Sequence, residues 1–532
     1  MKKTLFITLS LSIFTACSSV KKENAQLNDL IDVNKLQSDV DYVHHKLQRL
    51  HPNLYWYITK SALDHKFDSL KTTITKPLTK LEFHKKLSPV VCAVREGHMY
   101  VYPPVKGYTK RQNDSIKKAG VGPLSQFDFE YLNGKLHVLK NKSYDKSIKV
   151  GSEVVAINGA SPLEIINEYS QYFTSDGFNT TLKKNFSGTR FSTFYTYKNG
   201  IKGELKFDFK FNDSIKTVNI RRRIADTAGT GKRKNQHLTA AEIVKQKTDK
   251  KALRKKKLHN GYDDVARAYN RNLRFMESDS SVAVMKIRAF AKGNFNQFYE
   301  DSFKKIKFHK STTLILDLRN NGGGRLSEIA DLYSYLADST FIFINKSEVT
   351  SKTALLANDT YWKGGTVATK ALKGIFAPFY YSYTYFKVHK NTDGKYVYSL
   401  NSKPQKIKDE AFKSKVYVLI NGGTFSASCI LSSNLQGSKR AYFVGEETGG
   451  TYNGSVAGIM PVIKLPESDI RIRVGLVFIA PHYKTEKEGR GIFPDCEIIP
   501  TLQDRVNEVD PEMNWVLHDI KTKPITVASA NK

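Results

Sequence analysis

The chain has 532 residues, of which 40% are hydrophobic and 25% are charged, and this ordinary globular composition excludes collagen-like, wholly disordered and polytopic membrane proteins. The length allows two to four domains with a sizeable core. The 84 Lys and Arg residues exceed the 51 Asp and Glu residues by 33, and the four cysteines show no CxxC spacing that would predict a zinc module or a disulfide scaffold.

The N-terminus predicts export from the cytoplasm. Lys2 and Lys3 precede an uncharged stretch, residues 4–16, which is too short to span a bilayer, and the small-residue sequence FTAC closes it at Cys17. This pattern resembles a bacterial lipoprotein signal, so we expect residues 1–17 to be a signal peptide with Cys17 as the lipidated residue. An ordinary signal peptide followed by a structural cysteine is the alternative.

Export from the cytoplasm changes which binding partners the net charge of +33 predicts. We expect the mature protein in the cell envelope, facing the periplasm or the cell surface and held to the membrane by its lipid anchor. Nucleic acid is therefore not an expected partner, since the basic stretch also lacks interleaved aromatic residues. Anionic lipid headgroups or acidic polypeptides would suit the basic surface instead.

The next two regions differ in hydrophobic pattern. In residues 18–105, the apolar positions Leu36, Val40, Val43 and Leu47 fall at helical spacing, which predicts a mostly helical region. In residues 106–225, alternating runs such as KLHVLKN and GELKFDFKF are separated by Asn-Gly turns, which predicts a small β-rich module.

The second half of the chain begins with a basic segment. Residues 226–280 are predicted to be a solvated linker or an exposed helix, because residues 232–257 hold eleven Lys and Arg and only two acidic residues. Docking to an anionic membrane or an acidic substrate is the functional alternative for this segment. In residues 281–520, apolar strands alternate with helical patterns, which is typical of a buried, largely parallel sheet in an α/β fold.

One chemical candidate follows the strand in LILDLRNNGGG, residues 314–324. The strand runs into three glycines before a helix, so the backbone N–H groups of Gly322 and Gly323 could converge on an anion. This is the arrangement of an oxyanion hole. A tight strand-to-helix turn without chemistry is the alternative.

A second candidate lies in VYVLINGGTFSAS, residues 416–428. Ser426 falls at the predicted start of a helix, where the helix dipole would stabilise an alkoxide, and the N–H of Ala427 could donate to a developing oxyanion. A simple N-cap role for Ser426 or Thr424 is the alternative.

Two further segments supply titratable groups. His98 in REGHMYV lies between a helical region and a short β run, where a neutral imidazole could act as a general base. Glu488 in EKEGRGIFPD precedes a Gly-rich turn. Taken singly, the histidine could be structural and the second segment a loop.

The chain resembles the C-terminal processing, or tail-specific, serine peptidases, and more closely their tricorn-like branch. The likeness rests on seven segments in the family's order, HPNLYW, EGHMYV, GSEVVAING, LILDLRNNGGG, NGGTFSAS, VGEETGG and GRGIFPD. The resemblance implies a crotonase-like αββ core in residues 281–520, preceded by the N-terminal helical region and a small PDZ-like domain in residues 106–225. Such a domain would receive the C-terminal end of a substrate by strand addition.

The resemblance also implies roles for individual residues. Ser426 corresponds to the nucleophile, and His98 with Glu488 corresponds to the base and acid of the tricorn-like branch. The spacing leaves open whether Glu488 reaches His98 directly or through another hydroxyl group. The Ser-Lys branch has a lysine 25 residues after the serine, but this position is Thr451 here. Gly322, Gly323 and Ala427 would form the oxyanion hole, and no metal or organic cofactor is implied.

Other residues could take these roles. His482 is an alternative base, and Glu446 or Glu447 is an alternative acid. Cys429 is expected to be a small buried residue rather than a nucleophile, and Ser428 to be structural.

The sequence therefore predicts an envelope serine endopeptidase that hydrolyses polypeptides, in some cases near their C-termini. The alternative is a non-catalytic protein that binds a peptide, glycan or lipid on the same fold. The oligomeric state does not follow from the sequence.

Overall fold

The computed structural model describes residues 20–224, 240–276, 279–358, 360–362, 364–400 and 402–522. The predicted signal peptide and Cys17 lie outside these ranges, as does part of the predicted basic linker. No helix in the described part of the chain is both long and apolar enough to cross a membrane.

The N-terminal region is helical up to one short strand. Its second helix buries the four apolar residues that the spacing had identified, and a capping box between Thr79 and Glu82 starts its fourth. The elements are α1 Val20–Ala25, α2 Val33–Leu50, α3 Lys60–Thr72, α4 Lys80–Cys92, β1 Tyr100–Tyr102 and α5 Lys110–Lys118.

A separate module follows, with a hydrophobic cluster of its own. Its elements are β2 Phe127–Leu132, β3 Lys135–Asn141, β4 Glu153–Ile157, α6 Pro162–Tyr169, α7 Thr181–Thr189, α8 Phe191–Asn199, β5 Glu204–Phe211 and β6 Ser214–Arg221. The strands form an antiparallel sheet in the order β2-β3-β4-β5-β6. Asn133 and Gly134, both at positive φ, make the β2–β3 turn that the sequence predicted.

The segment predicted to be a basic linker contains an ordered helix. This helix, α9 Ala240–Asn260, is followed by the short strands β7 Tyr262–Asp263 and β8 Ala268–Tyr269. The side chains described in its first two turns and most of those in its later turns are exposed. Of the two structures left open for this segment, the described part therefore takes the exposed helix.

The rest of the chain forms a mixed α/β core. Its elements up to residue 420 are β9 Arg271–Met276, β10 Asp279–Ile287, α10 Phe295–Phe308, β11 Thr313–Asp317, α11 Leu326–Ser334, β12 Ser347–Val349, α12 Val367–Lys387, β13 Val388–Lys390, β14 Tyr396–Tyr398 and β15 Lys415–Ile420. They continue with α13 Ala427–Gly437, β16 Tyr442–Gly445, β17 Ser455–Ala457, β18 Val462–Lys464, β19 Arg471–Arg473, β20 Val477–Ile479, β21 Cys496–Glu497, α14 Leu502–Val506 and α15 Pro511–Thr522.

A six-stranded sheet runs through this core in the order β21-β16-β15-β11-β10-β9. All neighbouring pairs are parallel except β10 with the edge strand β9. Hydrophobic clusters cover both faces, and every residue of β11 is buried. The predicted α/β class with a buried, largely parallel sheet is thereby confirmed.

Two smaller antiparallel sheets flank the large one. Five strands pair in the order β13-β14-β12-β20-β17, and three pair in the order β1-β19-β18. In the second of these, Tyr100 lies opposite Arg473. Strand addition of β1 to β19 therefore brings the N-terminal region, and the turn before β1, against the core.

Candidate active site

The loops after two neighbouring strands meet at one edge of the six-stranded sheet. β11 and β15 are parallel neighbours, so their C-terminal ends lie at the same edge. The Phe425 N–H donates to the Asn321 carbonyl at 3.0 Å, and the Ser428 hydroxyl donates to the same carbonyl at 2.9 Å. A Cβ atom on Gly323 would lie only 2.7 Å from Ser426 Cβ. The glycine is required for this close approach of the two loops.

Ser426 occupies a strained backbone conformation between β15 and α13. Its φ of 59° and ψ of −123° lie outside the regions that a non-glycine residue ordinarily adopts. Its side chain makes no capping hydrogen bond to the helix. The Ser426 hydroxyl instead lies 2.9 Å from Nε2 of His98. The geometry therefore favours a nucleophile over a simple N-cap at this position.

His98 is buried in the turn between α4 and β1. The Arg473 guanidinium donates to its carbonyl oxygen at 2.7 Å, and the Phe425 ring stacks on its imidazole with a centroid distance of 4.7 Å. Burial lowers the pKa of His98 below its usual value, against an opposing effect of Asp176. The imidazole is therefore neutral near pH 7 and able to accept a proton from Ser426.

Two buried acids lie on the other side of the imidazole. Oε1 of Glu96 is 3.7 Å from Nδ1 of His98, and neither of these two buried atoms has a hydrogen-bond partner among the described residues. Asp176 lies beside Glu96 and accepts a hydrogen bond from the Gly97 N–H at 2.6 Å. A small rotation of either side chain would bring Glu96 and His98 into hydrogen-bonding distance.

The two acids perturb each other. Burial raises the pKa of Glu96 to about 7. Burial, reinforced by the negative charge of Glu96, raises the pKa of Asp176 well above its ordinary value. One hydrogen bond joins the two carboxyl groups, which is favourable only when a proton is shared between them.

The structure does not place Glu488 in direct contact with His98. Its Oε1 accepts a hydrogen bond from Asn453 Nδ2 at 2.9 Å, in a loop that Asn453 also fixes through two bonds to Thr485. The acid beside His98 is instead Glu96, because the turn after α4, with Arg95 at φ 60°, folds Glu96 under the imidazole of its own segment. In the sequence, Glu96 stood out only as part of the EGHMYV segment.

Tyr57 connects the two groups of acids. Burial and the negative charges of Asp176 and Glu96 raise the pKa of its phenol, and Glu488 adds a smaller effect. Glu488 and the two acids at His98 thus all lie close enough to this hydroxyl to act on it. Neither Tyr57 nor Asp176 was predicted from the sequence, since they come from two different regions of the chain.

The three predicted oxyanion donors differ in their surroundings. The N–H of Gly323 donates to Asn321 Oδ1 at 3.0 Å and is therefore engaged. The N–H groups of Gly322 and Ala427 have no acceptor among the described residues, and a Cβ atom on Gly322 would meet nothing within 4 Å. Gly322 and Ala427 are the better placed donors, and Gly323 serves by its close approach to Ser426.

An apolar cavity of about 370 Å³ opens beside Ser426. Its lining includes Leu326, Leu400, Ile430, Ile459, Met460 and Ile479. Among the residues that the structure describes, no Asp, Glu or Lys lines it, and Arg325 is its one charged lining residue. Such a cavity fits an apolar side chain next to the reacting carbonyl.

The alternative residues lie apart from the Ser426 hydroxyl or are otherwise engaged. The His482 ring packs on Tyr483, Glu447 pairs with Arg490 at 2.6 Å, and Glu446 accepts from the Gly422 N–H at 3.2 Å. Cys429 is buried, and this burial raises the pKa of its thiol to about 12. A reactive thiolate is therefore not expected there.

Glu96, His98 and Asp176 are also the one group among the described residues whose ligand atoms lie close enough together, within 4.8 Å, to hold a metal ion. However, His98 Nε2 meets the Ser426 hydroxyl, and Asp176 accepts from the backbone. These contacts favour proton transfer between the three groups and Ser426 over metal binding. The expectation that the site needs no metal stays a prediction, which activity in the presence of EDTA would test.

Comparison with known proteins places this site in a family. Residues 281–498 match the model of peptidase family S41. These residues form a peptidase family S41 domain. The chain is accordingly a serine-type peptidase, and the resemblance to the C-terminal processing peptidases is confirmed at the level of this family. The finer tricorn-like assignment stays a prediction.

The solved structures to which the chain is similar are distant from it in sequence. Mature CPAF has a TM-score of 0.56 at 13% identity, over 93% of this chain and 99% of that chain. The photosystem II D1 C-terminal processing protease has a TM-score of 0.40 at 12% identity, over 89% and 96% of the two chains. The tricorn protease has a TM-score of 0.34 at 12% identity, over 92% and 36%. The curated proteins contain no match to the chain.

At such identity the likeness to CPAF shows a shared fold over nearly the whole chain. Together with the family S41 domain, it confirms the predicted fold class of the core. The PDZ-like nature of the module stays a prediction.

Proposed function

We propose that this serine peptidase is an exported endopeptidase in which Ser426 is the nucleophile and His98 the general base. The observation that carries the proposal is the 2.9 Å separation of the Ser426 hydroxyl and His98 Nε2. His98 takes the hydroxyl proton as Oγ attacks the scissile carbonyl. The N–H groups of Gly322 and Ala427 stabilise the oxyanion of the tetrahedral intermediate.

The intermediate then collapses to an ester on Ser426. His98 returns its proton to the leaving amine, and a water molecule, deprotonated by the same imidazole, hydrolyses the ester. Each half-reaction creates an imidazolium in a buried site, which needs a negative charge nearby. Glu96 supplies this charge in the proposal, with Asp176 as its hydrogen-bonded neighbour. The proposed site is therefore of the Ser-His-Glu type with Glu96 in the place first given to Glu488.

The module supports a preference for chain ends through one open sheet edge. Helix α7 packs directly on the other edge, since a Cβ atom on Gly188 would lie 2.5 Å from the backbone nitrogen of Tyr131 in β2. Among the described residues, β6 pairs with β5 alone and an isolated bridge joins Val121 to Arg223 just beyond its end, and most residues of β6 are exposed. A polypeptide tail could add to β6 as a further antiparallel strand. In this proposal the module holds the tail of the substrate while the S41 domain cuts the chain.

The proposed location is the cell envelope. The basis is the N-terminal sequence, with its lysines, short apolar stretch and Cys17. Metabolic labelling with a fatty-acid analogue, compared between the wild-type chain and Cys17→Ser, tests the lipid anchor. Loss of the label in the variant is the expected result.

Reaction with a fluorophosphonate probe, followed by peptide mapping, tests the catalytic proposal. We expect stoichiometric labelling of Ser426, no labelling of Ser426→Ala, and much slower labelling of His98→Ala. Ser327→Ala is the matched control. Ser327 lines the same cavity, but the hydroxyl that lies at hydrogen-bonding distance from His98 Nε2 is that of Ser426. An inert Ser426 in a folded protein that binds peptides tightly would favour the non-catalytic alternative.

A further inference from the structure

Helix α12 carries an apolar stripe on its outward side. The stripe consists of Leu372, Ile375, Phe376, Phe379, Tyr383 and Phe386, and each of these side chains is between 56% and 76% exposed. Their spacings of three or four residues, with one adjacent pair, place all six within about 100° of the helix circumference. A contiguous stripe of this kind differs from the single exposed apolar residues that are normal on soluble proteins.

The other side of α12 is fixed to the body of the protein. Thr384 is buried, and the Tyr380 ring stacks on Tyr361 with a centroid distance of 4.3 Å. Asn358 donates to the Tyr380 hydroxyl at 3.0 Å, and the Tyr361 hydroxyl donates to the Lys373 carbonyl at 2.7 Å. The helix is thus docked by its polar and aromatic side, and its apolar stripe faces outward from a packed position.

The charge around the stripe indicates what covers it. Between Thr360 and Thr392 the sequence contains five lysines and no acidic residue. Three of the lysines, Lys370, Lys373 and Lys387, are in α12 itself. Lys387 lies at the edge of the stripe, and Lys370 and Lys373 lie on the rest of the helix circumference. A helix with an apolar face of Leu, Ile and Phe, and with lysines on its remaining surface, has the composition of helices that lie in the headgroup region of a bilayer.

We propose that α12 docks on an anionic lipid bilayer, with its stripe at the boundary between headgroups and acyl chains and Lys387, at the edge of the stripe, at the lipid phosphates. Phe and Tyr side chains are suited to this depth because they combine large apolar surfaces with, in tyrosine, a polar end. The chain's net charge of +33 adds a long-range attraction to the same surface. This contact is separate from the proposed lipid at Cys17 and holds for a chain that lacks it.

Co-sedimentation with vesicles tests the proposal. The protein is the chain from Ser18 onward, which retains every residue that the structure describes but lacks Cys17 and the apolar N-terminal stretch. We expect it to bind vesicles that contain phosphatidylglycerol and to bind pure phosphatidylcholine vesicles far more weakly. Ile375→Ser, Phe379→Ser and Phe386→Ser together should weaken binding to the anionic vesicles at least tenfold. Their side chains are exposed, so unchanged thermal unfolding is expected.

A matched variant controls for the general loss of exposed apolar surface. Leu30→Ser, Ile215→Ser and Phe308→Ser remove three side chains that are 61% to 82% exposed but lie outside α12, and this variant should bind like the wild type. Equal binding by the stripe variant and the wild type, or no binding by the wild type, would overturn the proposal. A wild-type dimer that the stripe variant converts to a monomer would assign the stripe to a second copy of the chain instead.

Discussion

Oε1 of Glu96 lies 3.7 Å from Nδ1 of His98, the imidazole whose Nε2 meets the Ser426 hydroxyl. The three groups form a line from carboxylate through imidazole to hydroxyl. Glu96 and His98 belong to one tight turn, so the acid and the base are positioned together by the local backbone. The nucleophile comes from a different part of the chain, and only tertiary packing of β1 on β19 brings it into line.

This relationship predicts which acid supports catalysis. Glu96→Gln should lower kcat by about 10² or more, since an amide cannot stabilise the imidazolium that forms at His98. KM should change little, because Glu96 does not line the cavity beside Ser426. Glu96→Asp should restore part of the activity. Steady-state hydrolysis of an unstructured polypeptide measures both constants.

Glu488→Gln is the matched control for this prediction. Glu488 accepts a hydrogen bond from Asn453, and glutamine can keep an oxygen at the same place. We therefore expect nearly wild-type kcat. A large loss in Glu488→Gln together with a small loss in Glu96→Gln would return the acidic role to Glu488.

Much of this site could be predicted from the sequence, but the acid that lies beside His98 could not. Apolar strands that end in Gly-rich loops identified the loops of Gly322 and Ser426, since parallel neighbours present their C-terminal ends at one edge. The choice of Glu488 rested on family pattern. Spacing along the chain does not reveal that the turn at Arg95 directs Glu96 toward His98.

Other contributions had no local signal in the sequence. Asp176 comes from a loop of the module, where its hydrogen bond to the Gly97 N–H depends on how two separately packed regions meet. The N–H of Gly323 donates a hydrogen bond to the Asn321 side chain, and the run of glycines in the sequence does not reveal this bond. The exposed stripe on α12 became apparent only when the packed side of that helix was known, because the sequence alone resembles a buried helix.

The buried acids predict a dependence of stability on pH. The pKa of Glu96 is raised from 4.5 to about 7 in the folded state, so its favourable contribution is complete below pH 4.5 and is lost as the pH rises through 7. Because one pKa unit corresponds to about 1.4 kcal/mol, the loss is on the order of 3–4 kcal/mol. Glu96→Gln should therefore unfold at a higher temperature than the wild type at pH 8.

At pH 4, where Glu96 is protonated in the wild type, the unfolding temperature of Glu96→Gln should exceed that of the wild type only slightly. Asp176→Asn should behave in the same direction, since burial also raises the pKa of Asp176. Thermal unfolding of the three proteins between pH 4 and pH 8 measures the difference. If the increase in unfolding temperature of Glu96→Gln did not vary with pH, it would contradict the sharing of a proton between Glu96 and Asp176.

Ionisation of Glu96 also predicts the pH dependence of activity. The groups around it are His98, Asp176 and Tyr57, with Arg473 bonded to the backbone of His98. Burial lowers the pKa of His98, so the imidazole loses its proton at a lower pH than Glu96 does. A rise of kcat/KM near pH 7 should therefore report the charge on Glu96. Glu96→Gln should lose this rise, and Glu488→Gln should keep it.

The glycine loop gives a prediction with a control one residue away. Gly323 has a φ of 97°, and a Cβ atom there would lie 2.7 Å from Ser426 Cβ and 2.8 Å from the Ala427 nitrogen. Gly323→Ala should displace the nucleophile and reduce fluorophosphonate labelling by about 10² or more. Gly322→Ala adds a methyl group with nothing within 4 Å, so its labelling rate should stay near that of the wild type. Equal effects of the two variants would argue against the close approach of the loops.

The apolar cavity beside Ser426 predicts which bonds are cut. Burial of a Leu or Phe side chain contributes about 1.5–3 kcal/mol, which corresponds to a preference of about 10- to 200-fold over a small or acidic side chain next to the scissile bond. Ile459→Asp should lower kcat/KM for leucine substrates and raise it for arginine substrates, since it places a carboxylate in the lining. Ile224→Asp, a change at a side chain that is 69% exposed outside the cavity, should leave the preference unchanged. Cleavage-site profiling on a peptide library separates these outcomes, and an unaltered profile in Ile459→Asp would mean that the substrate side chain binds elsewhere.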